Sequence, residues 1–352
     1  MNHAMPAIRI PLLTAAILLG SCTAVQAPSP SAEGALKVAV MIDSGSEDDK
    51  SFNELSLQGA REAADEFGFE FVYTTPQSTT DYADTLEQMI VAENPDLVVT
   101  VGFRMGEATA RAAQVHPDLW FAIVDNDYGP GQGCPESAED CYVDGGLSNV
   151  TSLMFAEDEV AYLAGVLAGC MTETGTVATV AGVEIPPVVK LLTGFESGAR
   201  AARPDVVTLH QYIPDFDDPE TGKAVAQGFI SDGADVIFGA AGNTGNGGLL
   251  AANEAGVMAV GVDVDQYLTY PEVGESLLTS AAKNMDVAVA TAVRDFANER
   301  LEAGIRRATL ESGGIGLAPY HDWEDRIPQT CKDMVTDAEA VVIADPTITG
   351  AK

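Results

Sequence analysis

Positive charge is what this 352-residue sequence has least of. Eighteen lysines and arginines stand against 53 aspartates and glutamates, a formal net charge of −35. Such a surface repels nucleic-acid phosphates and anionic lipid headgroups, so neither is expected as a partner. The 46% apolar fraction argues against disorder, and the acidity reads as a solvated surface suited to high salt. Histidine is scarce as well: His3, His116, His210 and His321 are scattered, and no HExxH is present. The G-x-S-x-G elbow and the GxxxxGK[ST] phosphate loop are absent. "GAAGNTGNGG" (239–248) lacks the phosphate-loop lysine and reads as a strand-to-helix turn, while "DVD" (263–265) lacks the glycine and closing glutamate of a calcium loop. No metal and no cofactor are expected.

Long apolar runs are missing too. "IPLLTAAILLG" (10–20) is too short for a stable membrane span, and it follows a basic residue, Arg9. It stops at "LGSC" (19–22), a pattern like a bacterial lipobox, which implies cleavage before Cys22 and lipidation of its thiol. The competing reading is an ordinary secretory signal with a chance cysteine. Residues 1–21 are therefore expected to be a signal peptide and 22–35 a small, Pro-containing tether. The mature chain then sits lipid-anchored at the cell membrane, facing the periplasm or the extracellular side. Beyond Cys22 only four cysteines remain, an even number in an oxidising compartment. "CPESAEDC" (134–141) makes Cys134–Cys141 the local pair, which leaves Cys170–Cys331. Locality alone favours this among three pairings, and zinc is disfavoured by the lack of CxxC spacing.

What the sequence does contain is rhythm. Short apolar runs such as "KVAVMI" (37–42), "DLVVTVG" (96–102) and "WFAIVDN" (120–126) alternate with amphipathic stretches such as 52–68 and 81–94, and the alternation restarts near 159. Continuous apolar strands separated by helices predict parallel sheets covered on both faces, hence an α/β protein of two doubly wound units. Ligands of such sheets bind beyond the carboxyl ends of the strands, here lining a cleft between the units. The segments after each strand are "DSGSEDDKSFN", "GFRM", "DND", "VEIP", "PDFDD", "AAGNTG" and "DVDQ", rich in carboxylates, amides and small residues with a few aromatics. That inventory suits a sugar- or nucleoside-like ligand: carboxylates and amides for hydroxyls, an aromatic face for a ring. In "DDKSFNE", Phe52 begins a helix beside Asp48, Asp49 and Asn53; the structural alternative has Ser51 or Asn53 capping the helix and Phe52 packing as a staple.

"DDKSFNE…GAREA", "FAIVD" (121–125), "EVAYLAG" (159–165), "GADVIFGAAGNTG" (233–245), "GVDVDQ" (261–266) and "LTSAAKN" (278–284) occur in this order. Together they resemble the basic membrane protein family of ABC-transporter substrate-binding lipoproteins, the purine-nucleoside-receptor group, over roughly 36–304. The resemblance implies a periplasmic-binding-protein type I fold, with 36–147 and 264–304 in one lobe and 148–263 and 305–352 in the other. It implies a monomeric, non-enzymatic receptor that hands a purine nucleoside to an ABC permease. In that family the Phe of "SFN", here Phe52, stacks on the purine, with Ser51, Asn53 and Asp48 or Asp49 nearby. Asp125 reads the base edge, Asp263 and Lys283 hold ribose hydroxyls, Gly242 lies in the Gly-rich turn, and a second-lobe aromatic, Phe195 or Phe216, completes the sandwich. The rival classes are a carboxylate-dependent nucleoside or sugar hydrolase and a ligand sensor or adhesin without transport. "GQGCPESAEDC" (131–141) and "PYHDWEDRIPQTC" (319–331) receive no role from the resemblance.

Overall fold

The computed structural model describes residues 35–351 apart from 44, 77 and 79, together with Met1. The signal peptide, Cys22 and the tether up to residue 34 lie outside the described residues.

The first half of the chain runs β1 (Lys37–Ile42), α1 (Phe52–Phe67), β2 (Glu70–Thr74), α2 (Tyr82–Glu93), β3 (Leu97–Val101), α3 (Gly106–Val115) and β4 (Trp120–Val124). A two-strand ribbon, β5 (Gly129–Pro130) and β6 (Gly133–Cys134), precedes β7 (Val150–Phe155) and α4 (Glu157–Met171). There follow β8 (Thr176–Ala181), α5 (Pro186–Ala202), β9 (Val207–Tyr212), α6 (Pro219–Ser231), β10 (Val236–Ala240), α7 (Gly242–Ala255), β11 (Met258–Asp263) and the short α8 (Gln266–Thr269). The chain ends with β12 (Leu277–Lys283), α9 (Met285–Ala297), β13 (Gly304–Ala308), β14 (Ile315–Leu317) and α10 (Gln329–Ala344).

Two six-stranded sheets result. One has the order β13-β7-β4-β3-β1-β2 and is parallel throughout; the other has the order β14-β12-β11-β10-β8-β9, parallel except at its β14 edge. The central strands are buried on both faces, which is why they read as unbroken apolar runs. One hydrophobic cluster draws on both sheets, including Val40, Val124, Phe238 and Val262, and each outer helical layer has a core of its own.

The chain changes sheets in places the sequence did not suggest. β7 joins the first sheet rather than the second lobe, β12 lies in the second sheet rather than the first lobe, and β13 returns to the first. The changes of sheet thus fall between β7 and β8, between β12 and β13, and between β13 and β14, not at 147/148, 263/264 and 304/305. β7 follows the cysteine loop directly and was not expected as a strand, and α9 stops at Ala297 to free the residues of β13. An apolar run specifies a buried strand but not which sheet will hydrogen-bond it.

α4 is buried around almost its whole circumference. It packs on α5 with backbones nearly touching: a Cβ at Gly165 would sit 2.0 Å from the Phe195 carbonyl oxygen, and one at Gly198 would sit 2.0 Å from that of Tyr162. Disulfides join Cys134 to Cys141 and Cys170 to Cys331, the second tying the end of α4 to α10. Among the described residues no cluster fit to hold a metal ion occurs, and no helix is long and apolar enough to cross a membrane.

Candidate functional site

The carboxyl ends of the strands from both sheets meet around one chamber, with about 640 Å³ of space between its atoms counted out to its mouth, within the range of small-molecule sites. Asp43 follows β1, Gly102 and Phe103 follow β3, and Asp125 follows β4. From the other sheet come Phe216 after β9, Ala241 and Gly242 after β10, Asp263 at the end of β11 and Lys283 at the end of β12. Apolar wall is supplied by Pro187, Val188 and Leu191 of α5.

The turn before α1 enters this chamber in a specific way. Asp49 caps the helix: its carboxylate accepts the backbone N–H groups of Ser51 (3.0 Å), Asn53 (2.9 Å) and Glu54 (3.2 Å). Ser51, the sequence-based cap, makes no capping bond and instead donates its hydroxyl to Asp263 Oδ2 at 2.8 Å. Thus freed from capping, Asn53 lines the chamber with Asp49 and Phe52. Its Nδ2 donates to the Ser46 carbonyl, and its buried Oδ1 has no partner among the described residues. Two further bonds cross from the second sheet's side: Asn246 Nδ2 to the Asp49 carbonyl and Thr269 Oγ1 to the Lys50 carbonyl, both 2.9 Å.

Lys283 is the chamber's main cation, and it is buried. Its Nζ donates to both oxygens of Asp125 (2.9 and 2.7 Å), reaches Glu157 Oε1 at 3.4 Å, and lies 5.2 Å from the Phe52 ring centre and 4.8 Å from that of Phe155. Glu157 is shared with Lys190 at 3.4 Å. Burial pushes the carboxyl groups of Asp125, Glu157 and Asp263 upward against the pull of Lys283. Burial also draws the Lys283 ammonium down, but those three carboxylates outweigh it and hold the lysine above its ordinary value. These directions agree, because a cluster richer in carboxylates than in amines holds protons on both. The Asp49 carboxyl is pushed up to about 6, chiefly by burial, against the three backbone N–H bonds that favour its charge.

Eight residues singled out from the sequence therefore line one chamber: Asp49, Phe52, Asn53, Asp125, Phe216, Gly242, Asp263 and Lys283. Three do not. Asp48 is exposed and pairs with Lys50 at 2.6 Å; Ser51 lies behind the wall; Phe195 is wholly buried, its ring stacked on Phe238 at 4.8 Å, so Phe216 is the second-lobe aromatic of the chamber. The pairing of Lys283 is also corrected: its carboxylates are Asp125 and Glu157, while Asp263 is bonded to Ser51. Asp43, Phe103 and Glu157 were missed. Asp43 and Phe103 stand in the strand-end segments "VMID" and "GFRM", where position alone would have found them; Glu157 has no such signal, since its strand was not expected.

A family described as "ABC transporter substrate-binding protein PnrA-like" matches residues 36–339. The chain belongs to this family. It is 33% identical over 295 residues to an uncharacterized lipoprotein of Pyrococcus furiosus, covering 80% of this chain and 69% of that one. It is also 33% identical over 281 residues to basic membrane protein A of Borreliella burgdorferi, covering 79% and 75%. Among solved structures, an ABC-transporter solute-binding protein from Aeropyrum pernix K1 superposes with a TM-score of 0.78 at 27% identity, covering 88% of this chain and 91% of the other. One from Conexibacter woesei, at 21% identity and a TM-score of 0.66, shares the fold. The architecture is that of a type I periplasmic binding protein, and the chain is the substrate-binding component of an ABC transporter. Such a component binds a small ligand and works with permease subunits.

Proposed function

We propose that the chamber binds a purine nucleoside and that the protein delivers it to an ABC importer as a lipoprotein anchored through Cys22, working as a monomer without turnover. The observation that carries this reading is the pairing, within one chamber, of two aromatic side chains from opposite lobes, Phe52 and Phe216, with the strand-end carboxylates Asp125 and Asp263. Aromatic rings suit a planar base, and carboxylates with free lone pairs accept from ribose hydroxyls or base N–H groups. The resemblance of "DDKSFNE", "FAIVD" and "GVDVDQ" to nucleoside receptors supports the same ligand. Asp263, already bonded to Ser51, retains acceptor capacity for a hydroxyl, and Lys283 orients Asp125 for the base.

Titration calorimetry with inosine, guanosine and adenosine tests it. Binding of one nucleoside per chain without release of free base is expected. Phe52→Ala should weaken it by roughly tenfold to a hundredfold, from about 1–3 kcal/mol of stacking per face. Release of free base would establish the hydrolase instead, and an unchanged affinity with lowered stability would return Phe52 to the role of a packing staple.

A further inference from the structure

The chamber opens into a larger surface groove, and Phe103, Asp125 and Pro187 line both spaces. Arg104 lines only the groove and Phe216 only the chamber, yet the Arg104 guanidinium lies 5.5 Å from the Phe216 ring centre. The two side chains meet on the partition between chamber and groove. Their meeting also joins the lobes, because Arg104 follows β3 of the first sheet and Phe216 follows β9 of the second.

Each partner is held firmly within its own lobe. Arg104 forms a two-pronged pair with Asp43, Nε to Oδ2 and Nη2 to Oδ1, both 3.0 Å, and Asp43 also accepts the Tyr82 hydroxyl. This fork fixes the guanidinium plane as an ammonium could not be fixed. The Phe216 carbonyl accepts the Thr244 N–H at 3.1 Å, and the ring lies so close to Gly182 that a Cβ there would come within 2.2 Å of it. Opening the lobes therefore separates two preset surfaces rather than repacking either.

We propose that Arg104 is a positioning residue that acts through Phe216: with Asp43 as its anchor, it holds the ring over the groove side of the chamber and slows escape of the ligand. This rests on the chamber being the ligand site, not on the ligand being a nucleoside. Removing a desolvated cation–π interaction from the closed form should raise the dissociation rate by about 3- to 30-fold.

Dissociation of inosine, followed by stopped-flow displacement, is measured for wild type, Arg104→Gln, Phe216→Leu and the double variant. Arg104→Gln is expected to speed release in the wild-type background and to add less than about twofold in the Phe216→Leu background. A rate within about twofold of wild type for Arg104→Gln, or a full multiplicative effect in the double variant, overturns the proposal. Because Arg104→Gln strips Asp43 of its partner, Arg104→Lys provides a folded alternative. It keeps the charge beside Asp43 without the planar fork, and it too should release inosine faster. Small-angle scattering of the ligand-free proteins separates this idea from the choice of ligand. Arg104→Lys and Phe216→Leu should be more open than wild type whether or not inosine binds, and superimposable profiles would overturn the latch. Failure of wild type to bind inosine, with the scattering difference present, would reject the nucleoside and retain Arg104.

Discussion

Asp125 and Asp263 end corresponding strands of the two sheets, and both hold φ in the left-handed region, 62° and 66°. A non-glycine residue there costs on the order of 1 kcal/mol or more and persists only where its surroundings impose it. The Asp125 N–H donates to the Leu153 carbonyl on the neighbouring strand, so the backbone turns sharply while still paired and sends the carboxylate into the chamber. Asp49 is held differently, by three backbone donors at the start of α1, and still has its pKa pushed up to about 6. A folded-state value above the unfolded one means that the folded protein binds the proton more tightly. The stabilising effect of that proton is complete below pH about 4 and is lost as the pH rises through about 6, up to about 3 kcal/mol for this group. Buried Asp125, Glu157 and Asp263 shift in the same direction. Unfolding of the ligand-free protein at several pH values between about 4.5 and 7.5 should show stability falling toward neutrality, and Asp49→Asn should flatten the fall. The variant keeps an amide oxygen for the helix N–H groups, so parallel profiles for the two proteins would refute the assignment.

At the scale of elements, the α4–α5 pair shows how a sequence motif becomes packing. "YLAGVLAG" and "GFESG" read as functional signatures, yet Gly165 and Gly198 are there because the two backbones approach too closely for any side chain. The Cys170–Cys331 bridge fastens α10 to the end of this pair across 161 residues of chain. Closing so long a loop restricts the unfolded chain strongly, so replacing both cysteines by serine should cost about 2–4 kcal/mol in denaturant unfolding. Neither cysteine lines the chamber, and ligand affinity should stay within about twofold of wild type. An affinity loss in step with the stability loss would show that α10 helps to set the chamber. The Cys134–Cys141 bridge, spanning 7 residues, constrains far less of the chain.

Over the whole molecule, 35 uncompensated negative charges repel one another from one compact surface. Raising sodium chloride from about 0.05 to about 0.5 M shortens the screening length from about 14 to about 4 Å. The melting temperature should climb over that range and then level off. Ligand affinity should respond little, because the charges that shape the chamber, Lys283 with Asp125 and Glu157, are buried and paired. A melting temperature indifferent to salt would mean that the acidic surface is already neutralised locally. The same global view explains the bonds around residues 49–51: Asn246, Asp263 and Thr269 of the second lobe all reach that turn, so α1 begins where the two lobes touch.

The α/β class, the two units, the pairing of the cysteines by locality and the addresses of most chamber residues were legible in the chain's own pattern. These follow from local physics: continuous apolar runs make buried strands, and whatever follows a strand lands at the carboxyl edge of its sheet, as Asp125, Phe216, Gly242 and Asp263 do. Folding in three dimensions settled which sheet each late strand joined, and with it the partners of the charged groups. "SLLTSAAKN" reads identically in either lobe, and only its pairing with β11 carries Lys283 across to Asp125. The same is true of the aromatics: Phe195 and Phe216 each sit in a plausible segment, but helix packing buries the first against Phe238 while a loop after β9 leaves the second facing the chamber. Hydrogen-bond geometry gave the helix cap to Asp49 and left Ser51 for Asp263, a choice between neighbouring polar side chains that depends on where the opposite lobe stands. Strand identity is local in sequence, whereas ion pairs, stacking partners and lobe boundaries join residues up to two hundred positions apart, and no pattern within one segment encodes them.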